Sequence, residues 1–212
     1  MERNTAVALA YWLALLLILF TAAGMRKISQ PVSIMLGFVY VLLVWSPFLI
    51  VKYIERRPII SLGLGMNSPL RTLLWGVEAF ILVSMFFVIE VWYKVNFGGK
   101  LLGSVAQPIY SLWIELLSQL MLIGLPEELA SRGYLFTRLR ESWGALPALV
   151  ISSVLFGAGH LTTGDVPRAI QAGLSGFVYG LAFLRTGSIF APVIAHIMQN
   201  LFSSSVARII LS

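Results

Sequence analysis

The sequence predicts an all-α protein, a polytopic helical bundle integral to a membrane. Of its 212 residues, 58% are hydrophobic and 11% are charged, whereas about a quarter of the residues are charged in an ordinary soluble domain. Apolar runs close to the roughly 20 residues that cross a bilayer recur along the whole chain. We therefore expect one membrane domain, residues 1–212, with about seven transmembrane helices and a range of six to eight.

Seven apolar runs, bounded by charged residues, Pro or Gly, give the predicted helices. In chain order they are 6–23, 32–51, 73–93, 109–124, 147–160, 169–184 and 191–211. The first run is longer than the core of a signal peptide and no small-residue cleavage site follows it, so we interpret it as a membrane helix. The segment 52–71 mixes charge, Gly and Pro and is predicted to connect two helices at the membrane interface.

The distribution of charge argues against binding to nucleic acid. The net charge of +6 comes mostly from Lys and Arg between the apolar runs, where membrane proteins keep their cations. Slightly more of these cations fall on the side of the N-terminus, which predicts that the N-terminus is cytoplasmic. The chain has no Cys, which excludes disulfides, thiolate metal sites and cysteine nucleophiles.

Six polar side chains interrupt the apolar pattern of the C-terminal half. A charged group or an imidazole inside a bilayer costs several kcal/mol, of order 3, unless it is paired or hydrated, so each one is a functional hypothesis. Both histidines of the chain belong to this set. Its members are Glu127, Glu128, Arg132, His160, His196 and Asn200.

The two adjacent glutamates have different predicted surroundings. On a helix Glu128 and Arg132 share a face, so the arginine can keep that carboxylate ionised, whereas Glu127 is rotated by about 100°. An unbroken helix over 109–136 would be about 42 Å long, more than the apolar core of a bilayer, so we expect a bend at 124–126. The alternative is an ordinary helix start, where acids after a proline interact with the helix dipole.

The histidines and the asparagine complete a set with catalytic potential. His196 and Asn200 lie four residues apart, hence on one helical face and about 6 Å apart at Cβ. The alternatives are a core histidine bonded to a backbone carbonyl at His160, and an interhelical clasp at the other two residues worth about 0.6 kcal/mol. With Glu127, the set supplies the groups that activate water and stabilise an oxyanion.

These residues resemble, in type and order, the CPBP family of intramembrane proteases. The family includes the eukaryotic CAAX prenyl endopeptidase and bacterial bacteriocin-processing and immunity-type relatives. The resemblance covers the protease motif region, residues 112–202. Its three signatures, Glu-Glu-x-x-x-Arg, Phe-x-x-x-His and His-x-x-x-Asn, are matched by Glu127 and Glu128 with Arg132, by Phe156 with His160, and by His196 with Asn200.

The resemblance implies an intramembrane endopeptidase and a role for each motif residue. Glu127 and His160 would activate a water molecule, and His196 and Asn200 would donate hydrogen bonds to the oxyanion. The substrate would be a membrane-associated protein or peptide. The protein itself would lie in the plasma (inner) membrane of a prokaryote. The two residues that would fix the helix presenting the base are Glu128 and Arg132.

The sequence leaves the role of a metal open. Glu127, His160 and His196 could form a two-histidine, one-carboxylate zinc set. However, Asn200 one turn from His196 fits a hydrogen-bonding pair better than a metal ligand. We therefore expect no obligatory cofactor, with zinc as the alternative.

Two other functions compete with this interpretation. The stretch 173–180, GLSGFVYG, resembles the nucleophile segment of rhomboid serine proteases, in which Ser175 and His196 would form a dyad. A non-proteolytic scaffold, an immunity protein or a proton-coupled transporter would use buried Glu and His to clasp helices or relay protons. The rhomboid alternative gives Glu127 and His160 no role, and small residues in membrane helices usually indicate close packing.

Overall fold

A computed structural model describes residues 3–97 and 111–211, and none of these residues forms a strand. The main helices are α1 (Arg3–Met25), α2 (Gln30–Val44), α3 (Pro69–Phe97), α4 (Leu112–Met121), α5 (Gly124–Glu128), α6 (Ala145–His160), α7 (Val166–Thr186) and α8 (Phe190–Leu211). Each predicted apolar run overlaps a helix, although the run 32–51 continues past the end of α2, and the run 109–124 begins outside the described residues and crosses the break after Met121. The all-helical prediction is confirmed.

Within the described part of the chain, four helices are long and apolar enough to cross a membrane by length and composition. They have mean hydropathies from 1.6 to 2.4 and comprise Arg3–Met25, Gln30–Ile54, Pro69–Phe97 and Ala145–Thr163. Continuous apolar runs favour helix in a bilayer because a helix satisfies every backbone polar group internally. These helices support the predicted membrane bundle, while the single-domain assignment of residues 1–212 stays a prediction.

The predicted bend lies directly before the two glutamates. Helix α4 ends at Met121, and α5 begins at Gly124 after a non-helical residue, Ile123. The indole of Trp45 donates a hydrogen bond of 3.0 Å to the Met121 carbonyl, which satisfies one of the carbonyls that a helix end leaves free. This hydrogen bond therefore connects the end of α2 to the segment that carries Glu127 and Glu128.

Beyond the glutamates the backbone has π-helical geometry, which the sequence did not predict. The π segment comprises Leu129–Phe136, all of it buried, and a regular helix follows over Thr137–Trp143. Wide turns of this kind are frequent at functional sites because they redirect side chains. Here the π segment carries Arg132 towards α7, where Nη2 donates to the Gly176 carbonyl at 2.8 Å.

The N-terminal helices are attached to the motif segment through buried polar contacts. Arg138, which is fully buried, donates to both carboxylate oxygens of Glu55 at 2.6–3.1 Å. Thr5 of α1 donates to the Arg138 carbonyl at 2.8 Å. A buried guanidinium needs such a bidentate carboxylate to offset its desolvation. These contacts hold the N-terminal helices close to the motif residues.

A close approach of α6 to α7 positions the second motif. A Cβ atom added at Gly157 would lie 2.8 Å from the Ala169 carbonyl oxygen and 3.0 Å from the Gly173 Cα. Only glycine allows the backbones to come this close. The adjacent Phe156 side chain is thereby directed towards the guanidinium of Arg132, 4.4 Å from its ring centroid.

Candidate active site

Glu127 and His160 line one cavity of about 190 Å³. Helix α5 supplies the carboxylate and the end of α6 supplies the imidazole. The opposite wall is apolar and comes from the first two helices, chiefly from Trp12, Leu15, Leu16, Leu19, Tyr40 and Val44. The side chain of Glu127 is 21% exposed, whereas that of Glu128 is fully buried. The two adjacent acids thus have the different surroundings that their helical positions predict.

His196 of α8 lies between the two glutamates. Its Nδ1 atom is 2.9 Å from Glu128 Oε1, and its Nε2 atom is 3.9 Å from Glu127 Oε2. An ionised carboxylate only accepts hydrogen bonds, so Nδ1 is the nitrogen that carries the proton towards Glu128. The other nitrogen, Nε2, faces the carboxylate of Glu127. The ring stacks on Tyr179 with centroids 5.3 Å apart and meets the edge of Phe156 at 6.0 Å. These contacts fix the orientation of the imidazole.

Arg132 holds Glu128 in place, as their spacing predicts. Its Nη1 atom lies 3.1 Å from Glu128 Oε1, and both side chains are fully buried. The guanidinium also lies over the rings of Phe156 and Tyr179, at 4.4 and 5.5 Å from their centroids. Glu128 therefore links the guanidinium of Arg132 to the His196 ring. The contact between Glu128 and His196 joins two helices, so spacing along one helix could not predict it.

His160 combines the two interpretations that the sequence left open. Its Nδ1 atom lies 3.1 Å from the Phe156 carbonyl oxygen, the backbone contact expected of a core histidine. Because a carbonyl oxygen only accepts, Nδ1 carries the proton, and Nε2 of the neutral ring is an acceptor. The same side chain lines the cavity beside Glu127. It can therefore bind a water molecule there.

Asn200 has a different partner from the one its spacing suggests. Its Nδ2 atom donates to Gln119 Oε1 of α4 at 2.7 Å, and it is not among the described residues that line the cavity. His196 bonds to Glu128 of α5, whereas Asn200 bonds to Gln119 of α4, and the shared role of these two residues stays a prediction. Gln119 is a polar residue inside an apolar run, and this is the feature of the sequence that could have indicated the contact.

The serine of the rhomboid-like stretch is engaged away from His196. Ser175 is 3% exposed. Its Oγ atom donates to the Gln171 carbonyl at 2.8 Å and accepts from Gln171 Nε2 at 2.9 Å. Among the described residues no hydrogen bond joins Ser175 to His196. The structure thus does not form the dyad of that alternative.

The candidate zinc ligands do not form a three-ligand site in this arrangement. In the described ranges, 3–97 and 111–211, no group of three or more His, Cys, Asp or Glu side chains is placed to hold a metal ion. Both histidines do have Nδ1 fixed by an acceptor, an arrangement also seen in metal-binding histidines. The role of zinc at these residues stays a prediction.

A buried ion network borders the loop between α6 and α7. Lys94 Nζ lies 2.6 Å from Glu90 Oε1 and 2.5 Å from Asp165 Oδ2. Glu90 and Lys94, which lie four residues apart on α3, are therefore buried members of a larger cluster. Asp165 also caps α7 by accepting from the Arg168 backbone N–H at 3.1 Å. Burial alone would raise the pKa of Asp165, but the hydrogen bonds from Lys94 and Arg168 outweigh it and lower that pKa.

Replacing Asp165 with Asn should reduce the acid sensitivity of the fold. Because the pKa of Asp165 is lower in the folded state, its contribution is fully present above the unfolded pKa of about 3.9 and is lost as the pH falls through the folded value. Asn keeps the helix cap. The difference in melting temperature between wild type and Asp165→Asn should be largest near pH 7 and shrink below pH 4. A difference that stays constant with pH would contradict this role.

A known protein family matches the part of the chain that carries the three motifs. Residues 108–202 match the family model described as type II CAAX prenyl endopeptidase Rce1-like. All three motifs lie inside this match. The resemblance to the CPBP proteases is confirmed for this region.

A curated relative supports the CPBP match over a shorter stretch. The chain is 34% identical over 76 residues to "Putative membrane peptidase YdiL" of Bacillus subtilis, which is 36% of this chain and 30% of that protein. The aligned stretch thus spans less than a third of the relative's length. No solved structure matches. Helices α1 to α3 lie outside the CPBP match, although the first two line the cavity.

Proposed function

We propose that this protein is an intramembrane endopeptidase that hydrolyses a peptide bond of a membrane-associated protein or peptide. The observation that carries the proposal is the meeting of three distant motif residues. Glu127 and His160 line one cavity, and His196 Nε2 is 3.9 Å from Glu127. A carboxylate base with one imidazole in the cavity lining and a second imidazole 3.9 Å from the base suits the activation of water beside a carbonyl group.

In the proposed reaction a water molecule lies between Glu127 and Nε2 of His160. Glu127 takes a proton as the water oxygen attacks the carbonyl carbon, and the carbonyl electron pair moves to its oxygen. When the tetrahedral intermediate collapses, the C–N bond breaks and the leaving amine receives the proton from Glu127. Glu127 thus serves first as the general base and then as the general acid.

His196 and Asn200 would stabilise the oxyanion in this proposal. Because Nδ1 of His196 is directed at Glu128, Nε2 donates to the oxyanion when the ring is doubly protonated. Asn200 has a second N–H besides the one given to Gln119. Arg132 keeps Glu128 in position. This pair would therefore orient the His196 ring through its contact with Glu128, and it would also fix the backbone that presents Glu127.

The proposed substrate belongs to the membrane environment. Proteins with CAAX prenyl tails are one candidate, since the matched family model is described by that activity, and unmodified leader or tail peptides are others. The cavity wall of Trp12, Leu15 and Val44 suits an apolar side chain or lipid group. We further propose a cytoplasmic N-terminus and the plasma membrane of a prokaryote as the location.

Cleavage assays with purified protein in liposomes test this function. The probes are a farnesylated CAAX-type peptide and a library of peptides from digested membrane proteins, with products identified by mass spectrometry. We expect new peptide termini with wild type and none with Glu127→Ala. If wild type cleaves none of these probes, or if the variant cleaves them equally well, the alternative of a scaffold, immunity or proton-coupled transport protein is favoured.

Metal removal separates the two versions of the mechanism. We expect cleavage to survive dialysis against a chelator, with less than one zinc per chain in the active protein, because the side chains alone supply the base and the donors. A complete loss of cleavage that zinc restores would show instead that Glu127, His160 and His196 rearrange to hold a metal.

A further inference from the structure

The cavity contains a polar group that lies outside the CPBP match. Helix α2 contributes Tyr40 to the lining that also holds Glu127 and His160. The matched region begins only at residue 108, so the family motifs do not include this tyrosine. The other residues that the first two helices contribute to the lining are apolar, among them Trp12 and Val44.

The hydroxyl of Tyr40 is available to a ligand in the cavity. Within the described part of the chain it makes no hydrogen bond, and its side chain lines the same cavity as Glu127. The nearby Tyr11 differs, because its hydroxyl donates to the Leu43 carbonyl at 3.0 Å. A phenol in an apolar wall usually has a partner for its O–H. The Tyr40 donor is therefore placed for a group that enters the cavity.

The proposed reaction needs donors at the developing oxyanion. His196 supplies one only as the imidazolium, because its Nδ1 proton is directed at Glu128. Asn200 gives one N–H to Gln119 and lies away from the cavity lining. A preorganised donor inside a water-poor cavity contributes strongly to such a transition state.

From this geometry we infer that Tyr40 is a further catalytic residue, whose hydroxyl donates a hydrogen bond to the oxyanion of the tetrahedral intermediate. The inference rests on the proposed endopeptidase function. As water attacks the carbonyl carbon and Glu127 takes its proton, the carbonyl electron pair moves to oxygen, which accepts the Tyr40 O–H. When the C–N bond breaks, the pair returns, and the phenol keeps its proton throughout.

The variant Tyr40→Phe removes the donor and keeps the ring that lines the cavity. We expect kcat for a library peptide that wild type cleaves to fall by about 10²–10³-fold, the usual loss for one oxyanion donor, with KM changed by less than about threefold because the ground-state contacts of the ring remain. The melting temperature in detergent should stay within a few degrees, about 2, of wild type.

Tyr11→Phe is the matched control, since it removes a hydroxyl whose partner is a backbone carbonyl. It should leave kcat within about twofold of wild type, because its hydroxyl faces no reacting group. Equal kcat in wild type and Tyr40→Phe, or a loss that lies only in KM, would overturn the role of Tyr40 while the endopeptidase function stands. Absence of any cleavage by wild type would overturn both.

Discussion

Replacing Glu127 with Gln is expected to lower the rate of peptide cleavage by about 10²–10⁴-fold, the usual contribution of a general base. Gln has nearly the same size and can still line the cavity beside His160, but it cannot take the proton of the attacking water. Initial rates of cleavage by purified protein in liposomes measure the effect. The melting temperature should change little, because Glu127 Oε2 approaches His196 Nε2 only to 3.9 Å, which is longer than a hydrogen bond.

A second carboxylate provides the control for this substitution. Glu78 is an exposed residue of α3 and is absent from the described lining of the cavity. Glu78→Gln removes the same charge from the protein and should leave the rate within about twofold. Similar losses in both variants would mean that net charge rather than proton transfer controls cleavage, and the assignment of Glu127 as the base would be wrong.

Replacing Arg132 with Met is expected to destabilise the protein by about 3–5 kcal/mol, the usual cost of removing one partner of a buried ion pair. Glu128 would lose its guanidinium partner while its side chain stays fully buried. The ring contacts with Phe156 and Tyr179 would be lost as well. Reversible unfolding in mixed micelles measures the free energy of unfolding.

Two further variants show whether the uncompensated charge is the cause. Glu128→Gln combined with Arg132→Met removes both charges and should recover part of the loss. Arg57→Met disturbs an ion pair with Glu141 whose side chains are 36% and 33% exposed, so it should cost less than about 1 kcal/mol. If Arg132→Met costs no more than Arg57→Met, the buried pair does not stabilise the motif segment as described.

Local spacing accounts for the parts of the protein that the sequence predicts well. Apolar runs long enough for a bilayer predict the helices, because a backbone in lipid must satisfy its own hydrogen bonds. The same reasoning predicts a bend at 124–126, since a longer helix would exceed the membrane thickness, and the observed break lies just before Gly124. The contact between Glu128 and Arg132 follows from four residues of separation on one helix. None of these features depends on a distant part of the chain.

Tertiary packing decides the contacts between helices, and these include much of the candidate site. His196 reaches Glu128 across 68 residues of sequence, and Asn200 reaches Gln119 across 81. The alignment of each pair depends on how α8 packs against α4 and α5, which one-helix periodicity does not contain. The placement of Tyr40 in the cavity likewise depends on the packing of α2, a helix that carries none of the three motifs. Sequence alone therefore determined which side chains could do chemistry, and the fold decided which of them meet, because helix packing sets distances that spacing along one helix cannot.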